Sequence, residues 1–272
     1  MNQENNKITM GFIGTGNMGS ALARAVGRKL EGQQIFLANR SPEKSRLLAA
    51  ELGARQADNI SVARQTKYIF LGVKPQMMEE MLSEIRPVLT AREEPFVLVT
   101  MAAGLTIARI QEMAGGDYPV IRIMPNTPAA IGEGMILYAC SKNVTETEKE
   151  QFLDACTEAG RFSALSEQLM DAGSAVAGCG PAFAALFLEA LADGGVACGL
   201  PRALALEYAA QMLAGTARLA LETGSHPGAL KDAVCSPGGT TIQGVRTLEK
   251  AGFRGAVIDA VTASYEKTLS LV

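Results

Sequence analysis

Tryptophan is absent from this chain of 272 residues, histidine occurs once, and aromatic residues make up only 5%. Charge is sparse too: 19% of residues are charged, the formal net charge is -3, and no basic block occurs. The missing basic cluster argues against a nucleic-acid partner, whose phosphates need clustered Lys and Arg. Five cysteines (Cys140, Cys156, Cys179, Cys198, Cys235) include no CxxC pair, and with one histidine they argue against a zinc site, so no metal is expected. Their odd number, and a polar start "MNQENNKITM" without a secretory signal, suggest reduced thiols in a cytoplasm. The longest charge-free run of the second half, 172–188, has 17 residues with three glycines and a proline. That is short of the roughly 20 residues of a membrane span, so it reads as buried core and no membrane partner is expected. What the chain does have is apolar substance: 48% hydrophobic residues, enough for one large or two ordinary packed domains.

From residue 8 to about 140, strand-like runs alternate with helix-like stretches. "ITMGFIG", "QIFLANR", "KYIFLGV", "PFVLVTM", "PVIRIMPN" and "GMILYAC" read as strands. "NMGSALARAVGRKL" reads as a helix, and "SPEKSRLLAAELG" as another, with Ser41 as N-cap, Pro42 at its first position and Gly53 past its end. This alternation predicts a parallel sheet covered on both faces. After a capped helix in "VTETEKEQFLDACTEAG" the texture changes, and helices are predicted over 168–177, 181–199, 202–223, 228–234, 239–250 and 254–270. Only Asp171, Glu189, Asp193, Arg202 and Glu207 are charged between 168 and 217. Helices apolar on most sides must be buried, and this much apolar surface predicts an isologous dimer interface; the alternative is a compact monomeric helical core.

"GFIGTGNMGSALA" places Gly14, Gly16 and Gly19 in a G-x-G-x-x-G array between a strand and a helix. Gly14 allows a tight turn, Gly16 leaves room for a pyrophosphate, and Gly19 lets helix and strand pack closely, while the helix N-terminus attracts the phosphates. A plain glycine-rich turn is the bland alternative. At the end of the second strand an acidic residue would bind the ribose hydroxyls of NAD. This chain instead has Asn39, Arg40 and Ser41. An arginine there pairs with a 2'-phosphate, which favours NADPH with NADH as the alternative, unless Arg40 is simply a solvated surface residue. Further signals lie at strand ends, where open α/β sheets bind ligands: Val73 and Lys74 before Pro75, the small residues of "TMAAGLT", and Asn126 and Thr127 between Pro125 and Pro128.

The stretches "GFIGTGNMG", "GVKP", "AAG", "MPNTP", "GCGPAF", "EALADGGVACGLPR", "HPGALKDAVCSPGGTTI" and "GFRGAVIDAV" together resemble the pyrroline-5-carboxylate reductases, in order and across nearly the whole chain. The resemblance implies an α/β Rossmann-type N-terminal domain followed by an all-α C-terminal dimerisation domain. The division expected is a flexible tail over 1–7, the dinucleotide-binding domain over 8–165, and a helical substrate and dimerisation domain over 166–272. It implies reduction of 1-pyrroline-5-carboxylate to L-proline by NAD(P)H, and a homodimer, often built into a decamer. By matching position, the cofactor loop is Ile13, Gly14, Thr15, Gly16, Asn17 and Met18. Ser41 meets the adenosine end, and Asn59, Val73, Lys74 and Ala103 line the rest of the cofactor site. Glu167 matches an acidic residue near the substrate, and Ser236, Gly238, Gly239, Thr240 and Thr241 match the substrate loop.

The chain departs from the family pattern at Ala177 and Cys179, where serines are common, and at Cys235, where Thr or Ser is. Those departures remove hydroxyl donors and put any role for them in doubt. His226, beside Pro227 and Gly228, reads as a structural residue at a helix start. No lysine occurs between Lys149 and Lys231, which weighs against a 3-hydroxyacid dehydrogenase of similar plan. Thr241 is then the candidate at the imine nitrogen, orienting it or passing a proton from water, and Glu167 the candidate for favouring an iminium. Other readings are a reductase of another cyclic imino acid, such as piperideine carboxylate, or an NADPH-binding regulator. The segment "SPGGTT" is expected to approach a helix starting near Gly239, whose free N–H groups would hold the substrate carboxylate, with Thr241 one turn in.

Overall fold

A computed structural model describes residues 8–270; the expected tail over 1–7 lies outside them, as do residues 271 and 272. The chain folds into two compact units, one of residues up to Gly178 together with those from Ser264 onward, the other Cys179–Ala263. Each is described by itself.

The first unit is built on eight strands: β1 (Met10–Ile13), β2 (Ile35–Ala38), β3 (Arg55–Gln56), β4 (Tyr68–Leu71), β5 (Val97–Thr100), β6 (Val120–Met124), β7 (Gly134–Cys140) and β8 (Gly160–Ala164). Their order is β3-β2-β1-β4-β5-β6-β7-β8. The first six are parallel, and the order reverses between β1 and β4, which opens a crevice outside their C-terminal ends. β1, β2, β4 and β5 are buried along their whole length, as expected of strands covered on both faces.

The fully parallel sheet expected from the sequence needs one correction: β7 runs antiparallel to β6, and β8 is parallel to β7. The reason is chain length. The nine residues between Met124 and Gly134 are too few for a parallel crossover, which takes a dozen or more. β3 and β8 escape the sequence reading because one is two exposed residues and the other, "GRFSA", has no apolar run.

Seven helices flank the sheet: α1 (Asn17–Gly27), α2 (Pro42–Leu52), α3 (Asn59–Gln65), α4 (Met78–Ala91), α5 (Ile107–Ala114), α6 (Glu146–Ala155) and α7 (Met170–Ala177). Alternate strand residues feed two cores, one on each face. Ile13, Ile69 and Leu71 pack with Leu82 and Ile85 of α4, while Phe12 and Phe70 pack with Leu22 of α1 and Phe152 of α6. The Phe12 and Phe70 rings stack with centroids 4.3 Å apart. α2 has Pro42 at its start and Gly53 in the left-handed region at its end, as read from the sequence, but Ser41 makes no side-chain capping bond. α6 closes a full capping box, Thr145 with Glu148. α7 belongs to the sheet unit by packing, since Met170 is fully buried in its core.

The second unit is helical: α8 (Gly180–Ala197), α9 (Arg202–Thr223), α10 (Pro227–Ala233), α11 (Thr240–Lys250) and α12 (Phe253–Leu269), the last of which runs on into residues grouped with the sheet. α8 and α9 pack as a hairpin, with Gly195 set so close to Ala205 that a Cβ would come within 3.2 Å of it. Of α8 only Ala192 is buried, and of α9 only Ala205 and Ala209. Leu186 is 68% exposed and Leu221 70%. The charge-free run over 172–188 is core only in part: Ser174 and Ala175 of α7 are buried, while none of its α8 residues is buried within one chain. Taken with its flanks, Glu167–Ala197 is long and apolar enough to cross a bilayer by length and composition alone.

Candidate active site

β1 ends in the glycine loop, and each glycine has a distinct physical reason. Gly14 has a φ of 101°, and a Cβ on it would lie 2.5 Å from the Gly72 carbonyl oxygen. A Cβ on Gly19 would come 2.2 Å from the Gly14 carbonyl oxygen, so only glycine lets α1 sit this close to the turn. Gly16 has nothing within 4 Å of where its Cβ would be, which leaves open space beside the backbone. α1 carries no acidic residue in its first turn and no side-chain cap on its N-terminus. Its free N–H groups and dipole are thus available to an anion.

Thr15 is 4% exposed, and its hydroxyl has no partner among the described residues. Its N–H donates to Asn39 Oδ1 at 3.1 Å, and Asn39 Nδ2 donates to the Ser41 carbonyl at 3.1 Å. Asn39 therefore pins the glycine loop to the turn after β2. That turn presents Arg40, which is exposed and, among the described residues, makes no ion pair.

These elements enclose a crevice of about 520 Å³ at the sheet's switch point, within the usual range of ligand sites. Of the expected cofactor residues, Ile13, Gly14, Gly16, Asn39, Arg40, Asn59 and Val73 line it. Thr15, Asn17, Met18, Ser41, Lys74 and Ala103 do not. Asn17 and Met18 open α1, Ser41 immediately precedes α2, Lys74 follows β4 and is exposed, and Ala103 stands in the loop after β5. The sequence reading missed the wall supplied by Gln56, Asp58, Met77, Glu80, Met81 and Glu84. Asp58 caps α3 through the Ser61 N–H at 2.7 Å, and Glu84 accepts from Asn59 Nδ2 at 2.7 Å. The α4 residues carry no motif; their only signal is the "KPQMMEE" turn that aims the helix across the crevice.

A dinucleotide fits this crevice. The orphaned Thr15 hydroxyl, the open space at Gly16 and the uncapped α1 N-terminus are what a pyrophosphate would use, and Arg40 is the one basic side chain in the crevice wall among the described residues.

The second glycine pair lies in the helical unit. His226 caps α10, its Nδ1 accepting from the Gly228 N–H at 3.0 Å, so the lone histidine is structural as expected. The chain then turns at Ser236, whose carbonyl accepts from the Gly239 N–H at 3.0 Å. Gly238 has a φ of 69°, and Gly239 is the N-cap of α11 with no side-chain capping bond. A Cβ on Gly239 would come 2.4 Å from Ser236 Oγ. The helix start falls where the sequence placed it, but Thr241 is the second residue of α11, not one turn in. Thr240 and Thr241 are both exposed, and their N–H groups belong to the open first turn.

Glu167 has protein partners. Its Oε1 accepts from the Ile107 N–H at 2.6 Å and lies 3.5 Å from Arg122 Nη1. All five cysteines are free, and burial pushes the Cys156 thiol well above the ordinary range, which leaves it unreactive. No group of three metal-ligating side chains occurs among the described residues.

A mostly parallel sheet with this loop at its switch point and an all-helical second unit define a dinucleotide-binding oxidoreductase of the Rossmann type. Comparison with known proteins narrows the class. The family model "Pyrroline-5-carboxylate reductase dimerisation" matches residues 167–271, and "NADP oxidoreductase coenzyme F420-dependent" matches residues 9–104. The pyrroline-5-carboxylate reductase of Escherichia coli is 42% identical over 266 residues, covering 96% of this chain and 97% of that one. That of Pisum sativum is 38% identical over 97% of this chain and 96% of its own. The crystal structure of the Plasmodium falciparum pyrroline carboxylate reductase with NADP bound superposes with a TM-score of 0.87 at 33% identity, covering 97% and 98% of the two chains. The chain belongs to the pyrroline-5-carboxylate reductase family.

Proposed function

We propose that this protein reduces 1-pyrroline-5-carboxylate to L-proline at the expense of NADPH. The observation that carries the reading is kinship of 42% identity along 96% of the chain, with both glycine cradles folded as open helix N-termini. The dinucleotide, when bound, supplies the hydride to the imine carbon. The chain's own residues bind and orient. The Gly14–Gly19 turn and the Thr15 hydroxyl hold the pyrophosphate, and Arg40 pairs with a 2'-phosphate, which makes NADPH preferred over NADH. Ser236, Gly238, Gly239 and Thr240 hold the substrate carboxylate at the α11 N-terminus. Thr241 hydrogen-bonds the ring nitrogen; as a weak acid it positions that atom and relays a proton from water, without ionising itself.

The exposed apolar helices are assigned to a homodimer, with a decamer as its extension, in the cytoplasm and without nucleic-acid or membrane partners. The functional boundary is placed at 165/166, near the start of the matching dimerisation family at residue 167, while packing divides the chain after Gly178.

The deciding measurement is loss of NADPH absorbance with pyrroline-5-carboxylate, then with its six-membered homologue. Faster turnover of the five-membered ring is expected. Preference for the larger ring would reassign the substrate, and no turnover with either would favour an NADPH-binding regulator.

A further inference from the structure

Among the described residues the largest fully buried side chain is not an aromatic or a leucine but Arg122, 1% exposed, in the middle of β6. A buried guanidinium is tolerated only when paired, so what pairs it is informative. Arg122 Nη2 lies 2.5 Å from Asp171 Oδ1 on α7, and Nη1 lies 3.5 Å from Glu167 Oε1 just before α7. Its Nε has no partner among the described residues.

The same Glu167 oxygen accepts the N–H of Ile107 at 2.6 Å. Ile107 is the first residue of α5, and a carboxylate there also meets the positive end of that helix. Immediately before it runs the loop of residues 101–106, which contains Ala103 and Gly104, the latter with a φ of 76°. At its other end this loop leaves β5, where the Ala102 N–H reaches Thr100 Oγ1 at 3.4 Å. Four residues beyond Arg122, Asn126 Nδ2 donates to the Ala177 carbonyl at 3.0 Å, so the 167–177 segment is tied to β6 near its start and to the turn after β6 at its end.

We infer that Arg122 and Glu167 are positioning residues: Arg122 holds the Glu167 carboxylate against the Ile107 N–H, and that bond fixes the 101–106 loop that carries Ala103. This rests on the reductase reading, in which Ala103 belongs to the cofactor site. It replaces a direct effect of Glu167 on the substrate with an indirect one. The two roles need different things from the side chain. Acting on an iminium requires negative charge, whereas holding Ile107 requires only an acceptor, which glutamine retains.

The test compares Glu167→Gln, Glu167→Ala and Arg122→Lys by steady-state turnover with NADPH and pyrroline-5-carboxylate, and by amide hydrogen exchange over 101–107. Glu167→Gln is expected to keep turnover within about threefold of the parent, while Glu167→Ala loses about 10- to 100-fold, the scale of a small misplacement. Exchange at Ile107 should accelerate in Glu167→Ala and stay near the parent rate in Glu167→Gln, with Arg122→Lys between them. Equal loss in the Gln and Ala variants would overturn the inference, as would unchanged Ile107 protection in Glu167→Ala. A parent enzyme inactive on pyrroline-5-carboxylate would overturn the substrate reading alone, since exchange still decides the tether. If Arg122→Lys does not fold, the two Glu167 variants decide it.

Discussion

The two units use similar apolar residues to opposite ends. In the sheet unit Phe12, Phe70 and Leu82 are completely buried, and every residue of β1, β2, β4 and β5 is buried. In the helical unit α8 buries one residue, and Leu186, Leu221 and Ile258 stand more than half exposed. The first unit closes its core within one chain. The second leaves most of its apolar surface uncovered within one chain, as the proposed self-association requires, since an apolar helix left in water gains nothing from its leucines. The two glycine cradles follow the same division: one sits at a formed crevice, the other on an open surface.

Truncation in the closed core is the largest expected effect. Phe70→Ala should remove about 3–5 kcal/mol of unfolding free energy, through lost transfer and a cavity between β4, α1 and α6. Self-association of the surviving folded fraction should be unchanged. Denaturant unfolding alongside sedimentation separates the two readouts, and a shift in association constant would show that the units are not independent in this sense.

In the open unit the sharpest effect is on chemistry. Thr241→Ala should lower turnover by about 10- to 1000-fold, as for loss of one positioned donor, with melting temperature nearly unchanged because the side chain is exposed. Turnover equal to the parent's would remove Thr241 from the imine nitrogen. A smaller effect is expected for Leu186→Asp, which places a charge on the bare face of α8. It should weaken self-association by about 10- to 100-fold, the loss typical of an interface anchor. NADPH affinity should not follow it, because the nucleotide crevice is formed entirely by the sheet unit.

How much of this was legible follows the same physics. The helices of the second unit were readable to within about two residues because Gly and Pro punctuate them: Gly180–Pro181, Gly199, Pro201, Gly224, Pro227 and Gly252. Six strands, β1, β2, β4, β5, β6 and β7, were readable as apolar runs. β3 and β8 were not, since edge pairing of "RQ" and "GRFSA" comes from the neighbouring strand and not from their own pattern. The direction of β7 was implicit in its short connection, which no residue type advertises. At the site, the glycines declared themselves by spacing. The acidic wall from α4 and the partners of Glu167 are assembled by tertiary packing between residues up to 60 apart, and periodicity carries no trace of them.

The smallest effect concerns which dinucleotide the closed unit prefers. Arg40 is the one basic side chain in the crevice wall among the described residues, and Asp58, Glu80 and Glu84 line the same wall. Without a 2'-phosphate, a nucleotide gains little from Arg40, because an exposed cation is already well solvated. With one, the guanidinium offers charge-assisted hydrogen bonds worth roughly 1.5–3 kcal/mol. Arg40→Ala should therefore raise the KM for NADPH by about 10- to 100-fold and that for NADH by less than about twofold, leaving the three carboxylates to repel the 2'-phosphate. Added salt should weaken NADPH binding relative to NADH in the parent enzyme, by screening the Arg40 attraction, and strengthen it in the variant, by screening the repulsion of the three carboxylates. Equal losses for both nucleotides would mean that Arg40 braces the turn after β2, a task the structure gives to Asn39.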